Sequence, residues 1–236
     1  MVSTNNSPEF FDEEISPFYS RVGNDYIKSF KRGQIFWTHI HYNEEDIKFW
    51  RPKDYDDTKT SASEFVISSS PGDVFNRNTP LYSPKLDIKE EFPVIRSKKR
   101  PVILIAPVPG RIAIGNIRGG GKINLNLSIV APLYSVVDHG GKAKYPTKFL
   151  DRVRKLEFPN IFFVPKKSGE RIRDSICRLD RFQSCFHNQM HSLNLCLDDG
   201  VLKVFKGQIG FYLTERYGDD YKTYRELFLS PTVTSF

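Results

Sequence analysis

An uninterrupted apolar run, Pro101-Val-Ile-Leu-Ile-Ala106, constrains the fold more than any other segment of the chain. The run is rich in β-branched residues and has no polar position, which is typical of a strand with both faces buried. It is followed by residues 111–117, a Gly119-Gly-Gly121 sequence and residues 122–130. Because apolar and polar residues alternate along the last of these segments, they predict a β-hairpin that follows a central, buried strand.

Shorter patterns extend the sheet and add a helix after it. Residues 33–41 form the first strong strand pattern, and residues 160–164 and 175–179 predict a further strand pair. After Asp198-Asp199, a pair typical of a helix N-cap, apolar residues recur at helical spacing from Val201 to Tyr212. The predicted fold class is mainly β (α+β): a small barrel with an appended C-terminal helix.

Composition limits the class and the location of the protein. The 236 residues include 35 Lys and Arg against 28 Asp and Glu, a net charge of +7, which fits a polyanionic partner or an acidic protein partner. Residues 1–19 lack the basic and apolar regions of a secretory signal, and no stretch approaches the roughly 18 apolar residues that a membrane helix needs. With only three cysteines, these features predict a reduced, cytoplasmic protein without a membrane partner.

Prolines and polar residues divide the chain into segments. Residues 1–28 are predicted to be an N-terminal extension, residues 29–216 the barrel domain and residues 217–236 a C-terminal tail. From about residue 43 to residue 92 the sequence becomes polar and carries four prolines. This stretch is therefore predicted to be a long insertion after the first strand, with short strands of its own, such as residues 64–68.

Three separated segments carry motifs of one known family. Lys31-Arg-Gly-Gln-Ile-Phe-Trp37 is similar to K-R-G-D-I-Y-W. The family motif x-R-P-V-L-V-I is matched by Lys99-Arg-Pro-Val-Ile-Leu-Ile105. The motif that follows it, x-I-V-A-P-I-T-S, is matched by Ser128-Ile-Val-Ala-Pro-Leu-Tyr-Ser135. Residues 174–184 resemble a stretch that carries V-x-R-x-D-Q-x-R-T. In this order, and over about half of the chain, the segments resemble the MazF/PemK family of ribosome-independent RNA endonuclease toxins.

The resemblance implies an SH3-like barrel, usually a homodimer, that an acidic antitoxin protein holds inactive. It also implies a metal-independent endoribonuclease without a cofactor, which cleaves single-stranded RNA when a ribose 2′-hydroxyl attacks the adjacent phosphate. Such a reaction needs a base for the 2′ proton, an acid for the leaving 5′ oxygen, and cations that stabilise the phosphorane.

The resemblance assigns roles to five catalytic candidates. Asp180 and Arg178 fall on the positions of the base and the acid, and residues two apart on a strand project from the same face. Arg100 matches the arginine that holds the scissile phosphate. Tyr134 replaces the family's threonine, and Ser135 offers a second hydroxyl beside it. The residues alone leave other roles open. Arg178 and Asp180 could form a mutual ion pair or a solvated pair, and Arg100 could be an ordinary strand-edge cation.

Further cations and histidines are predicted to contact RNA. In PemK-type members a loop supplies a histidine that this chain lacks at that place, and His39 or His41 could stand in for it. The other RNA-binding candidates are Lys98, Lys99, Arg111, Arg118, Lys122 and Arg181.

Two departures from the family favour a second function. The threonine is replaced, and the short loop with an E-Q-G-G signature gives way to the insertion at about 43–92. A protein with these changes could retain the barrel without the chemistry and act as a nucleic-acid- or protein-binding module.

Two other motifs are considered and set aside. The first comprises Cys185, His187, His191 and Cys196, which could bind zinc but do not have a standard zinc-site spacing. The second, Gly119-Gly-Gly-Lys122, lacks the full phosphate-loop pattern and precedes a strand, so a hairpin turn is favoured. No metal or cofactor is predicted.

Overall fold

The computed structural model describes residues 8–23, 30–42, 45–53, 64–69, 72–78, 80–81, 85–108, 111–113, 122–124 and 126–229. The chain divides into two compact units, one formed by residues 1–38 and 99–236 and the other by residues 39–98. Charge is distributed unevenly between them. Residues 39–98 carry nine Lys and Arg against eleven Asp and Glu, a net −2, and the rest of the chain carries 26 against 17, a net +9.

The strands are β1 Tyr19–Arg21, β2 Gln34–His41, β3 Lys48–Pro52, β4 Phe65–Ser69, β5 Pro93–Val94, β6 Ser97–Val108, β7 Arg111–Ala113, β8 Lys122–Asn124, β9 Leu127–Ser135, β10 Ile161–Val164, β11 Ser175–Arg178, β12 Gln183–Phe186 and β13 His191–Leu197. The helices are α1 Phe11–Glu14, α2 Thr147–Arg154, α3 Asp199–Thr214 and α4 Asp219–Leu229.

The main sheet has the strand order β1-β13-β2-β6-β9-β11-β10. Strand β9 is shared by three neighbours, because β6 pairs with one edge while β12 and β11 pair with successive parts of the other edge. The architecture is mainly antiparallel β with a few helices, as predicted. Among the described strands the pairing follows an open path and does not close into a barrel, since β1 and β10 stand at opposite ends of it.

The predicted central strand is confirmed as β6. Val102, Ile103 and Leu104 have no exposed surface, and β6 lies between β2 and β9. Burial of side chains of this size stabilises a fold by about 1.5–3 kcal/mol each, which explains why the run has no polar residue. The predicted hairpin is confirmed at residues 111–113 and 122–124, where β7 pairs with β8 in antiparallel register. Residues 127–130, predicted as part of its second arm, belong instead to β9 and pair with β6 and β12. The glycine sequence at 119–121 lies outside the described residues.

The predicted C-terminal helix is confirmed as α3. The Asp198 side chain accepts a hydrogen bond from the Gly200 N–H at 3.4 Å, and the helix ends where Glu215 takes a left-handed conformation, with φ of 58°. Val201, Val204 and Phe205 face the main core. Gln208 is buried and its Nε2 donates to the carbonyls of Phe158 and Ile161 at 2.8 Å each. These bonds attach α3 to the start of β10.

Both ends of the described chain contribute to the main core. From the segment predicted as an N-terminal extension, Phe11 and Phe18 are buried in it, and the Tyr19 hydroxyl donates to the Pro165 carbonyl. From the segment predicted as a C-terminal tail, α4 buries Tyr221 fully against the same core. Helices α1, α2 and α4 were not predicted.

Helix α3 and the start of α4 come close together at two glycines, Gly207 and Gly218. A Cβ at Gly207 would lie 2.7 Å from the Cβ of Tyr221 and 3.5 Å from the Cα of Gly218. We expect Gly207→Ala to lower the free energy of unfolding by up to about 2 kcal/mol, because overpacking costs about 1–3 kcal/mol and helix propensity returns about 1 kcal/mol. Urea unfolding measures this change.

Gly210 provides the matched control, because it lies in the same helix and its added Cβ would meet only the Arg216 carbonyl, at 3.8 Å. Gly210→Ala is expected to leave stability unchanged or to raise it by up to about 1 kcal/mol. Equal effects of the two substitutions would contradict the close packing at Gly207.

The smaller unit contains a three-stranded sheet in the order β4-β3-β5. Its interior holds a charged network around Arg51, whose side chain has no exposed surface. Arg51 bonds Glu91 through two nitrogens, with Nε to Oε2 at 3.0 Å, and its Nη1 lies 2.7 Å from Oδ1 of Asp73. Arg77, also buried, pairs with Glu91 as well. A strand predicted at residues 64–68 is observed as β4, one residue later.

Candidate functional site

Arg178 and Asp180 form an ion pair at the end of β11. The strand stops at Arg178, and residues Leu179–Arg181 form a single 3₁₀ turn. Leu179 is buried and its N–H donates to the Asn160 carbonyl at 2.9 Å, which fixes the turn. The expectation that both residues share a strand face is therefore corrected: Asp180 meets Arg178 through the turn, with Nε to Oδ1 at 2.7 Å and a second bond from Nη2 to Oδ2.

The ion pair is partly accessible, since 27% of the Arg178 side chain and 24% of the Asp180 side chain are exposed. Burial raises the pKa of Asp180, but the hydrogen bonds and the charge of Arg178 outweigh it, so the pKa lies below its ordinary value. The same hydrogen bonds raise the pKa of Arg178. Both groups are thus charged at neutral pH, and Asp180 is a weaker base than an unpaired carboxylate.

Tyr134 lies beside this pair and contacts two further arginines. The guanidinium carbon of Arg100 is 4.4 Å from the centre of the Tyr134 ring, and that of Arg181 is 5.7 Å from it. Both distances are within the range of cation–π attraction. The contact with Arg100 follows from register: Val102 opposes Pro132 between β6 and β9, and two more steps place Arg100 opposite Tyr134.

The five residues Arg100, Tyr134, Arg178, Asp180 and Arg181, here called the Arg–Tyr cluster, form one electrostatic unit. Arg181 links the ion pair to the ring, because its guanidinium contacts the Tyr134 ring and its charge lowers the pKa of Arg178. Three guanidinium groups and one carboxylate give the cluster a net charge of +2. Guanidinium groups beside a partly exposed aromatic ring can hold phosphate oxygens while a base stacks on the ring.

Ser135 is not part of the cluster. Its hydroxyl donates to the Val137 carbonyl at 2.8 Å and accepts from the Val137 N–H at 3.4 Å, so it closes a local turn. Neighbouring residues of a strand also face opposite sides. The structure therefore places the Tyr134 ring beside the arginines and keeps the Ser135 hydroxyl in a local turn.

The predicted RNA-binding residues are distributed over several places. Lys99 is exposed on β6 and belongs to the same unit as the cluster. Lys98, His39 and His41 are also exposed but belong to the unit of residues 39–98. The backbone positions of Arg111 and Lys122 lie in β7 and β8, while their side chains and all of Arg118 lie outside the described residues.

The cysteine and histidine motif has ordinary structural roles. The imidazole Nε2 of His187 lies 2.8 Å from the Ser128 hydroxyl. Cys185 and Cys196 are buried, and burial raises the pKa of both thiols, to about 11 for Cys196. Within the described part of the chain, no group of three His, Cys, Asp or Glu side chains is arranged to hold a metal ion.

Comparison with known proteins adds no relative to these observations. No protein-family model matches the chain, and no curated protein sequence matches it either. Among the described residues, no helix combines the length and the apolar character needed to cross a membrane.

Proposed function

We propose that the protein is a metal-independent endoribonuclease that binds single-stranded RNA at the Arg–Tyr cluster. The observation that supports this most is the contact of two guanidinium groups, those of Arg100 and Arg181, with the Tyr134 ring. The ion pair of Arg178 and Asp180 adjoins them, because the turn Leu179–Arg181 carries both Asp180 and Arg181. These groups come from β6, β9 and the turn after β11, which are far apart in sequence. Cleavage by 2′-hydroxyl attack requires such a set: a proton acceptor, phosphate-binding cations and a surface for a base.

In the proposed reaction, Asp180 accepts the proton of the ribose 2′-hydroxyl. The 2′ oxygen forms a bond to phosphorus, and the bond between phosphorus and the 5′ oxygen breaks. The 5′ oxygen takes a proton from water, and the proton on Asp180 neutralises the hydroxide that remains. The products are a 2′,3′-cyclic phosphate and a 5′-hydroxyl, and the Asp180 carboxylate is restored. Arg178 and Arg100 stabilise the charge on the phosphorane, since a guanidinium holds its own protons too tightly to be an effective acid.

The positions of the family motifs agree with this proposal. The segments that resemble MazF/PemK toxins lie on β2, β6, β9 and β11, which are consecutive neighbours in the main sheet. We propose on this basis that the sheet is an opened form of the family's SH3-like barrel. A cytoplasmic homodimer that an acidic antitoxin inhibits belongs to the same proposal.

Cleavage of a long single-stranded RNA by the purified protein in EDTA tests the activity. Discrete fragments that end in 2′,3′-cyclic phosphate are expected. A matched substrate with 2′-deoxy residues throughout should bind and remain intact, because it lacks the nucleophile. Failure to cut RNA, or equal cutting of both substrates, would contradict the proposal.

The tight pairing of Asp180 with Arg178 favours a second candidate function. Two hydrogen bonds and a lowered pKa reduce the tendency of the carboxylate to accept a proton. A cluster in this state would bind RNA without cutting it. Retention of intact RNA that weakens steeply as salt is added would support this binding function.

The lowered pKa of Asp180 determines the pH dependence of cleavage. A base acts only when deprotonated, and even an ordinary aspartate with a pKa near 3.9 is almost fully ionised at about pH 5. Because the pKa of Asp180 lies lower still, kcat/KM is expected to stay constant as the pH falls from neutral to about pH 5 and to decline only at more acidic pH. A decline centred near pH 6–7 in the measured pH–rate profile would identify a histidine as the base instead.

A further inference from the structure

The segment from residue 137 to residue 174 concentrates positive charge. It contains ten Lys and Arg against five Asp and Glu, a net +5 of the chain's total of +7. None of these ten cations was among the RNA-binding candidates that the sequence motifs suggested.

Two hairpins bring six of the cations together at one end of the main sheet. Residues 137–143 form a turn after β9 in which Val137 pairs with Ala143, and Lys167 pairs with Ile172 in the connection between β10 and β11. The two lie side by side, because the Val136 N–H donates to the Asp174 carbonyl at 2.9 Å. A cavity of about 360 Å³ lies between Val137 and residues 166–174. The six cations are Lys142, Lys144, Lys166, Lys167, Arg171 and Arg173, here called the hairpin-tip surface.

The cations of this surface differ from those of the neighbouring helix α2, whose arginines form ion pairs. Arg152 pairs with Glu157, and Arg154 pairs with Asp12 and Glu13. Among the described residues, none of the six hairpin-tip cations forms an ion pair with a carboxylate.

The acidic side chains near these tips mainly stabilise the turns. Oδ1 of Asp138 accepts from the Lys142 N–H at 2.8 Å, and Oδ1 of Asp174 accepts from the Lys166 N–H at 2.7 Å. Glu170 is the third carboxylate beside the six cations, and it lines the cavity. Six cations against three carboxylates therefore leave the hairpin-tip surface with a net charge of about +3.

The surface lies a short distance along β11 from the Arg–Tyr cluster, although the strand residues between them are buried. Strand β11 connects the two, and its three residue steps from Ser175 to Arg178 span about 10 Å. On the neighbouring strand β9, Ser135 pairs with Ser175 at the end of β11 nearest the hairpin tips. Tyr134 of the cluster is therefore one residue from this end. A single-stranded polyanion held at the cluster would reach the hairpin tips within a few nucleotides.

We propose that the hairpin-tip surface binds the phosphate backbone of single-stranded RNA on one side of the Arg–Tyr cluster, extending the site to several nucleotides. This inference rests on the proposed function for its ligand, but it concerns affinity and length dependence rather than cleavage. Proteins that bind single strands commonly combine an aromatic platform with a cationic groove and cover about 4–16 nucleotides in this way.

A binding experiment with uncleavable RNA separates this inference from catalysis. The probe is a 2′-O-methyl oligonucleotide of about 12 nucleotides, with a trimer for comparison, titrated at several salt concentrations. The test variant combines Lys142→Gln, Lys166→Gln and Arg171→Gln, which are all exposed. The control removes the same charge from α3 and the segment after it, through Lys203→Gln, Lys206→Gln and Arg216→Gln, which are also exposed.

The test variant is expected to bind the longer probe at least about tenfold more weakly than the control at moderate salt. Its plot of log affinity against log salt should be less steep by about 2, because each lost phosphate contact on a single strand removes about 0.7. Affinity for the trimer should be the same in both variants.

Equal affinities and slopes of the two variants for the longer probe would overturn the inference, even if the wild-type protein cuts RNA. A reduced slope in the test variant would support it, even if the wild-type protein cuts nothing. Tighter, hairpin-tip-dependent binding of poly-glutamate than of the RNA probe would overturn it in favour of an acidic protein partner.

Discussion

Replacing Asp180 with asparagine is expected to lower kcat/KM for RNA cleavage by about 10²–10⁴-fold, the usual contribution of a general base. Asparagine keeps the shape of the side chain and one acceptor for the Arg178 guanidinium, so the turn after β11 should persist. RNA affinity should be unchanged or higher, because the substitution removes the only carboxylate of the Arg–Tyr cluster. Single-turnover cleavage and binding of an uncleavable RNA measure the two effects separately.

Asp151→Asn provides the control for this prediction, since it makes the same change of charge on α2, away from the ion pair. It should leave both cleavage and binding close to wild type. If Asp180→Asn cleaves RNA as fast as Asp151→Asn, the carboxylate serves only as a partner of Arg178. That result would leave the binding function as the better account of the cluster.

Replacing Glu91 with glutamine is expected to destabilise the unit of residues 39–98 by about 3–5 kcal/mol. The Glu91 carboxylate compensates two buried guanidinium groups, those of Arg51 and Arg77, and its own side chain has no exposed surface. Neutralising Glu91 leaves the buried Arg77 guanidinium with its carbonyl partners, and it leaves Arg51 with the partly exposed Asp73. Loss of the compensating charge inside a buried network accounts for a change of this size. An amide of the same shape cannot supply the missing charge.

Trp50 can report on this unit alone, because it lies on β3 and stacks on Phe65 with ring centres 3.9 Å apart. The chain has only two tryptophans, so a Trp37→Phe background makes Trp50 the sole source of tryptophan fluorescence. Urea unfolding followed at Trp50 then gives the stability of the unit around Glu91.

Glu64→Gln is the matched control in the same unit. Its ion pair with Lys53 is exposed, with 57% and 64% of the two side chains accessible, so its loss should cost less than about 1 kcal/mol. Equal effects of Glu91→Gln and Glu64→Gln would mean that the buried network contributes no more than a surface pair.

The sequence pattern predicted the elements in which buried residues follow one another without interruption or recur at the helical spacing. Strand β6 was predictable because both of its faces are buried, and α3 because an N-cap residue precedes an apolar stripe. Helix α2 has only eight residues and no side-chain cap, and α4 fully buries only Tyr221, so neither combines an N-cap with a long apolar stripe as α3 does. The two acidic residues that begin α4, Asp219 and Asp220, were the signal that could have indicated it.

The sequence motifs indicated several residues of the Arg–Tyr cluster, but they did not predict how these residues are arranged. The motifs indicated Arg100, Arg178 and Asp180, yet the turn that joins the last two depends on the burial of Leu179 and on a bond to Asn160. The hairpin-tip surface depends on contacts between two connections that are about thirty residues apart. Its only signal in the sequence is a high density of Lys and Arg, which does not show which of these residues form ion pairs with carboxylates.

Burial of all three cysteines has a consequence for the redox chemistry of the protein. Cys177 is fully enclosed in the core, and burial raises the pKa of its thiol well above the ordinary value, as it does for Cys185 and Cys196. Oxidants and alkylating agents react with the thiolate, which is scarce at neutral pH under these conditions. The folded chain should therefore tolerate peroxide that damages exposed thiols, and its sulfur atoms become reactive only when the core opens. Thiol modification would thus mark unfolded molecules and leave folded ones intact.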